Sequence, residues 1–367
     1  MHRHLASAVL LAITGAVLPA TVLPVAVLPA TAADFMVQLD LDGRTIEGSP
    51  ITWNSGTVAF LRRDGEVLTF APEQAQNFRQ TAPQFRGYSP AEMRAQLLHE
   101  FGREFDVSGT GQYLVVHPKG KRDLWAGRFE ELYRSFVHYF TVRGVATDSP
   151  QFPLVAIVFY NKQDFLRYSA QHGVRLPSNV LGYYSRATNR ILMYDPDAGQ
   201  GNDNWQQAAE TIIHEAAHQS AFNTGVHSRY TSPPVWLAEG LGTLFEAPGV
   251  WNSRLYPRRE DRINHARLDA FRRYDASRKP GWLAQMLAHD WAFQRTPDEA
   301  YAAAWAVTFF LAETRPRQFA EYLRKTAEKE PFSEISAPQR EQDFRDVFGE
   351  NLALLEMEAK RFIDQLP

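Results

Sequence analysis

The sequence predicts an α+β protein, in which a small N-terminal β module precedes a larger domain that begins as mixed α/β and becomes mainly helical. Short segments in which apolar and polar residues alternate, separated by Ser-Gly and Asp-Gly turns, indicate a barrel-like β-meander over residues 34–80. The polar stretch 81–88 is typical of a linker. Beyond it the apolar spacing becomes helical, and we expect one domain over 89–367.

Charge and cysteine content narrow the possible functions. The 367 residues include 39 Lys plus Arg and 42 Asp plus Glu, a net charge of −3, which argues against a nucleic-acid partner. The absence of cysteine excludes disulfides and thiolate ligands, so any metal must be held by His, Asp or Glu.

Residues 1–33 have the pattern of a secretory signal peptide. An uncharged run from Leu5 to Leu28 ends in small residues at Ala32 and Ala33. We therefore expect export from a bacterial cell to the periplasm or beyond, with no membrane partner after cleavage. The alternative is an uncleaved membrane anchor, but prolines interrupt the run at positions 19, 24 and 29.

The module at 34–80 suggests no chemistry, and we interpret it as a packing or targeting appendage. The domain that follows should open with a helix at Ser89-Pro90, where an N-cap precedes proline. Further elements are expected in this order: a strand pair over 105–116, a helix over 124–142, a strand over 154–160, a helix over 162–171 and a hairpin of 181–185 with 190–194.

The candidate metal-binding and catalytic residues lie on a predicted helix over 204–222. Its sequence His214-Glu215-Ala216-Ala217-His218 places two imidazoles one turn apart on one face, with Glu215 beside them. This composition produces such a match in about one of 50 random chains, so a second motif is needed. The alternative is a solvated helix face.

The third ligand is predicted on a second helix. A pattern with a further His at position 224 is absent, because Thr224 stands there, and His227 is displaced into a loop. Instead, Ser232-Pro233-Pro234 opens a helix that carries Glu239. Two His and one Glu with an open fourth position form a catalytic zinc shell.

The motif at 214–218, followed by Trp236-Leu237-Ala238-Glu239-Gly240, resembles the gluzincin, or thermolysin-like, metallopeptidases. The run to Glu246 is similar to a family of exported bacterial proteins of uncharacterised function. The similarity covers about a third of the chain, over 182–312. It implies a metallopeptidase-like domain whose active-site helix holds one Zn²⁺ through His214, His218 and Glu239, with Glu215 as general base.

The resemblance also implies further roles. Tyr301 is the candidate for stabilising the oxyanion, with His265 and His289 as weaker substitutes, although Tyr301 also fits an apolar helical stripe. Thr243 replaces the acid that orients a zinc histidine in thermolysin-like sites, which leaves Glu246 or Glu210 for that role. The strand over 190–194 would be the sheet edge that pairs with substrate.

Three functions follow from this interpretation. The leading one is an exported zinc metallopeptidase acting on peptide or protein substrates. The others are a catalytically silent metallopeptidase-like binding or scaffold protein, which the intact Glu215 argues against, and a zinc amidase acting on peptidoglycan. Cleavage preference and oligomeric state do not follow from the sequence.

Overall fold

The computed structural model describes residues 35–120, 125–177, 179–196 and 206–367, with the side chains of 206–208 left aside. Two β-sheets in the N-terminal part precede a mostly helical C-terminal part, which confirms the predicted α+β class at that level. The expected signal peptide lies outside the described residues. None of the described helices is long and apolar enough to cross a membrane.

The first sheet is an antiparallel meander with a fifth strand that returns beside the first. Its strands follow in the order β4-β3-β2-β1-β5, with β1 at Met36–Leu41, β2 at Arg44–Trp53, β3 at Val58–Arg62, β4 at Val67–Phe70 and β5 at Ala75–Ala82. Alternating apolar residues, among them Leu39 and Phe60, form its small core. The sequence did not predict β5, whose side chains are mostly polar and exposed, and which extends into 81–88.

The second sheet has the order β6-β7-β8-β10-β9, with β6 at Phe105–Gly109, β7 at Tyr113–Pro118, β8 at Leu154–Phe159, β9 at Gly182–Ser185 and β10 at Arg190–Tyr194. The three central strands are parallel, and a strand at each edge is antiparallel. Helices α1 (Pro90–Phe101) and α3 (Lys162–Gln171) cover one face of this sheet.

Helices α2 (Trp125–Thr141) and α4 (Gln206–Asn223) cover the other face and join it to the helical part. The remaining helices follow at Val235–Phe245 (α5), Pro248–Trp251 (α6), His265–Arg273 (α7), Trp282–Ala288 (α8), Ala292–Arg295 (α9), Pro297–Thr314 (α10), Pro316–Ala327 (α11), Ala337–Phe348 (α12) and Leu352–Asp364 (α13).

Helix α5 lies between α4 and α10, and a glycine permits this packing. A Cβ atom on Gly240 would lie 2.7 Å from the carbonyl oxygen of Ala304 on α10, so only glycine allows the two backbones to come this close. The packing fixes α5 on both sides. The residues that α5 presents to α4 are therefore held in place by the main hydrophobic core.

Candidate metal centre

Helix α4 places the side chains of the motif at 214–218 in the protein interior. The side chains of His214, Glu215 and His218 are all buried, at 0%, 2% and 4% residue exposure. Burial on this scale rules out the alternative of a solvated helix face. Because buried polar groups need partners, the neighbours of these three side chains decide what they can do.

Helix α5 brings the third candidate ligand to the two histidines. Oε2 of Glu239 lies 3.2 Å from Nε2 of His214 and 3.6 Å from Nε2 of His218. The two Nε2 atoms lie 2.9 Å apart. Among the residues that the structure describes, no other three His, Asp or Glu side chains form a comparable group, with all ligand atoms within 4.8 Å of one another.

These distances fit a small tetrahedral cation. Zinc bonds of about 2.0–2.1 Å to N and O separate neighbouring tetrahedral ligands by roughly 3.3 Å. The three observed separations, 2.9, 3.2 and 3.6 Å, bracket that value. The ligand atoms of His214, His218 and Glu239 are therefore spaced as three corners of such a tetrahedron.

A second glycine of α5 makes this convergence possible. A Cβ atom on Gly242 would lie 2.6 Å from Cε1 of His214, well inside van der Waals contact. The imidazole of His214 therefore lies directly against the backbone of α5, one turn from Glu239. The sequence motif around Glu239 gave no reason for this glycine.

Glu246, at the end of α5, orients His214. Its Oε1 accepts a hydrogen bond of 2.9 Å from Nδ1 of His214, and its Oε2 accepts one of 2.7 Å from Nδ2 of Asn264. A proton on Nδ1 leaves the lone pair of Nε2 directed at the ligand cluster. Of the two acids considered, Glu246 therefore has this role. Glu210 is exposed.

Thr243 contributes differently from the acid it replaces. Its hydroxyl donates a hydrogen bond of 2.8 Å to the carbonyl oxygen of Glu239, within α5. In this structure the carboxylate that orients His214 comes from Glu246, three residues after Thr243.

The site carries an excess of negative charge. Glu215 and Glu239 are buried and Glu246 is partly buried, while Arg267, 3.5 Å from Glu246, pairs with that carboxylate. With neutral imidazoles the set carries a net charge of −2, which a divalent cation would balance. This charge, the spacing and the ligand types all suit Zn²⁺.

The pKa shifts of His214 and Glu239 have their cause in the charges of this site. Burial opposes a charged imidazole, but hydrogen bonds to Glu239 and Glu246 raise the pKa of His214 to about 10. Burial also opposes a charged Glu239, yet His218 and His214 hold the pKa of its carboxyl well below its usual range. The raised pKa of His214 reflects the negative charge that Glu239 and Glu246 place beside its imidazole.

Glu215 lies between the ligand cluster and the second sheet. Its Oε2 accepts a hydrogen bond of 2.7 Å from the backbone N–H of Tyr184 on β9, and burial raises the pKa of its carboxyl. The expectation that 190–194 forms the sheet edge was wrong. Strand β10 pairs with β8 on one side and with β9 on the other, so β9 is the edge beside α4.

Tyr301 on α10 reaches the same cluster. Its ring is buried, with its centroid 6.5 Å from that of His214, and its hydroxyl hydrogen-bonds the Glu239 carboxylate. The alternative interpretation, that Tyr301 belongs to an apolar stripe along its helix, is correct for the buried ring. The hydroxyl, in contrast, contacts a proposed ligand residue. Burial raises the pKa of Tyr301 well above its ordinary value.

The other histidines do not join the cluster. His227 is buried against the ring of Phe222, at a centroid distance of 5.2 Å, and burial lowers its pKa to about 3. His265 and His289 are exposed. In the structure it is therefore Tyr301, rather than either of these two histidines, that touches a ligand residue.

Fold and site together define a class: an α+β protein with a buried two-histidine, one-glutamate cluster between two core helices. Residues 208–333, about a third of the chain, match a family described as protein of unknown function (DUF1570). The match spans α5 to α11 and all but the first two residues of α4, and so includes every residue of the cluster. No curated protein matches the chain significantly.

Proposed function

We propose that this protein is an exported zinc-dependent metallopeptidase that hydrolyses peptide bonds. The observation that carries the proposal is the convergence of His214, His218 and Glu239 on one point, with the Glu215 carboxylate held beside it. The resemblance of both motifs to the gluzincins supports the same function. Export rests on the signal-like pattern of residues 1–33.

His214, His218 and Glu239 would hold the zinc ion, and Glu246 would keep His214 in the required tautomer. Bound zinc supplies a Lewis acid that lowers the pKa of a water molecule to roughly 7. The protein contributes the geometry. Each ligand side chain comes from a helix fixed in the core, so the site is largely preorganised.

Glu215 is the proposed general base. It would accept the proton of the attacking water and return it to the leaving amine. The hydrogen bond from Tyr184 N–H occupies Oε2 and fixes the orientation of the carboxylate, which leaves Oε1 for this proton. The same bond ties the base to the sheet edge.

Tyr301 is the proposed donor to the developing oxyanion. A tyrosine hydroxyl is protonated at neutral pH and donates one hydrogen bond. In the structure this hydrogen bond goes to the Glu239 carboxylate, so the hydroxyl would have to turn from this ligand to the oxyanion during the reaction. Arg267 stacks over the Tyr301 ring, 5.3 Å from its centroid, and keeps the ring in place.

The edge strand β9 favours an extended peptide as substrate. The N–H of Tyr184 points away from β10, and by the alternation of an antiparallel strand the backbone of Gly182 does as well. An extended chain would add to such an edge through backbone groups other than the Tyr184 N–H, which the Glu215 carboxylate already occupies. Peptide or protein substrates therefore suit the site better than sugars or nucleotides.

The test compares the wild type with Glu215→Gln, which preserves shape and removes the base. Zinc content is measured by mass spectrometry, and hydrolysis is measured on casein and on purified cell-wall sacculi. We expect Glu215→Gln to keep its zinc and lose hydrolysis. Full activity in this variant would contradict the mechanism. Hydrolysis of sacculi alone would assign the amidase function, and zinc binding without hydrolysis of either substrate would assign a silent binding role.

A further inference from the structure

Helix α4 meets the second sheet through a row of three polar side chains. Glu215, Gln219 and Asn223 follow one another at intervals of four residues and therefore lie on one face of the helix. Glu215 is 2% exposed and Gln219 is 0% exposed, while Asn223 is half-buried. Buried polar groups need hydrogen-bond partners, and the hairpin of β9 and β10 provides partners for all three.

Asn189, in the turn of this hairpin, binds both the edge strand β9 and helix α4. Its Oδ1 accepts hydrogen bonds from the Tyr184 hydroxyl, at 2.8 Å, and from Nδ2 of Asn223, at 2.7 Å. Its Nδ2 donates a hydrogen bond of 2.8 Å to Oδ1 of Asn223, and its backbone carbonyl oxygen accepts one of 2.9 Å from Nε2 of Gln219. Asn189 is 3% exposed, so this network is shielded from water.

The backbone conformation of Asn189 is a second reason for asparagine at this position. Its φ of 59° lies in the left-handed region, which asparagine adopts more readily than most other residue types. An asparagine therefore satisfies the turn and the hydrogen-bond network at the same time.

The N-terminal β module supports this turn from the other side. A Cβ atom on Gly65, between β3 and β4, would lie 3.5 Å from Nδ2 of Asn189, so Gly65 lies close beside this amide. The N–H of Val67 on β4 donates a hydrogen bond of 2.8 Å to the carbonyl oxygen of Ala187. The hairpin turn is therefore held between the module and α4.

Tyr184 connects the network to the proposed general base. Its hydroxyl binds Asn189, and its backbone N–H donates the 2.7 Å hydrogen bond to Oε2 of Glu215. Tyr184 is thus fixed through its side chain as well as its backbone. If the turn loosened at Asn189, β9 could shift and the Glu215 carboxylate would lose its fixed donor.

We propose that Asn189 is a positioning residue for Glu215, which acts by fixing Tyr184 and the edge strand β9 against α4. The inference rests on the proposed function, in which Glu215 is the general base. A displacement of about 1 Å is enough to cost a catalytic group much of its effect. Because Asn189 acts through Tyr184 and not through the ligand cluster, zinc affinity should not depend on it.

Asn189→Gly removes the amide and keeps a residue type that accepts a positive φ. Zinc affinity should remain at the wild-type value, while kcat on casein should fall by roughly 10–100-fold and KM should change less. Asn77→Gly is the matched control, because Asn77 also has a positive φ, of 55°, and its side chain donates a hydrogen bond of 2.7 Å to Asp40 in the β module. The control should keep the wild-type kcat. Equal kcat in Asn189→Gly and the wild type would overturn the proposal.

Hydrogen exchange tests the same inference without catalysis. Selective isotope labelling of the 14 tyrosines gives one amide signal for each, and Tyr184→Phe identifies the signal of Tyr184 by its absence. We expect this amide to exchange at least about tenfold faster in Asn189→Gly, with the other tyrosine amides little changed. Equal acceleration of all tyrosine amides, or no change at Tyr184, would assign Asn189 to stability alone and overturn the proposal.

Tyr184→Phe provides a second test if Asn189→Gly does not fold, because it removes the hydrogen bond between the two residues from the other end. Its kcat should also fall, and an unchanged kcat would contradict the proposal. In the double variant the loss of kcat should be smaller than the product of the two single losses, since both changes break one bond. A wild-type protein without hydrolysis would refute the proposed function alone, and the exchange rate of the Tyr184 amide would still decide whether Asn189 fixes Tyr184.

Discussion

Nδ1 of His214, in the middle of α4, donates a hydrogen bond of 2.9 Å to Oε1 of Glu246, at the end of α5. This bond determines which imidazole nitrogen faces Glu239 and His218. Partners of this kind contribute to metal affinity almost as strongly as ligands do.

Glu246→Gln should lower zinc affinity by about 10–100-fold, because the amide leaves His214 less basic and no longer fixes one tautomer. A chelator competition titration measures the change. Glu350→Gln, at a largely exposed acid, is the control and should bind zinc as the wild type does. Equal loss in both variants would show that charge alone matters, and would contradict the orienting role.

Gly242→Ala should disrupt the site through shape alone. The new methyl group would meet the His214 ring at 2.6 Å, so α4 and α5 must separate, at a cost of about 1–3 kcal/mol in the free energy of unfolding. Zinc binding should be lost with it.

Gly127→Ala is the control for that substitution. Gly127 lies on α2, where a Cβ atom would meet nothing within 4 Å, so this variant should gain up to about 1 kcal/mol from helix propensity. Chemical denaturation and zinc titration of both variants give the comparison. A Gly242→Ala protein that binds zinc normally would show that His214 does not lie against α5.

Tyr301→Phe separates the two roles of this tyrosine. The ring packing against Phe293, with centroids 5.4 Å apart, should survive, and zinc content should not change. If the hydroxyl stabilises the oxyanion, kcat should fall by about 10²–10³ with KM little altered. Unchanged kcat in a stable variant would assign Tyr301 to packing alone.

Arg229→Met tests how the N-terminal β module is attached. The Arg229 side chain donates hydrogen bonds to the carbonyl oxygens of Gly65, in the turn between β3 and β4, and of Arg186, in the β9–β10 turn. Removing these charged hydrogen bonds should cost about 2–4 kcal/mol of stability. Limited proteolysis should then cut near residues 81–88 sooner than in the wild type. Wild-type stability would mean that the module is held by other contacts.

Local sequence signals predicted part of the site, and tertiary contacts account for the rest. The spacing of His214 and His218 follows from helix geometry, and the prolines before α5 marked the helix that carries Glu239. Gly242 and the Tyr184 N–H could not be predicted, since each matters only because of an element distant in sequence. The same reason explains the misplaced sheet edge: a hairpin sequence does not reveal which of its strands pairs with β8.

The most direct test of the account is the zinc content of wild type and of Glu239→Gln, each purified without added metal and then titrated with zinc. Glu350→Gln, at a largely exposed acid, is the control. We expect about one tightly bound zinc per chain in the wild type and the control, and a loss of at least about 100-fold in affinity in Glu239→Gln. A wild-type protein that binds no zinc, or a Glu239→Gln protein that binds it equally well, would contradict the proposed centre.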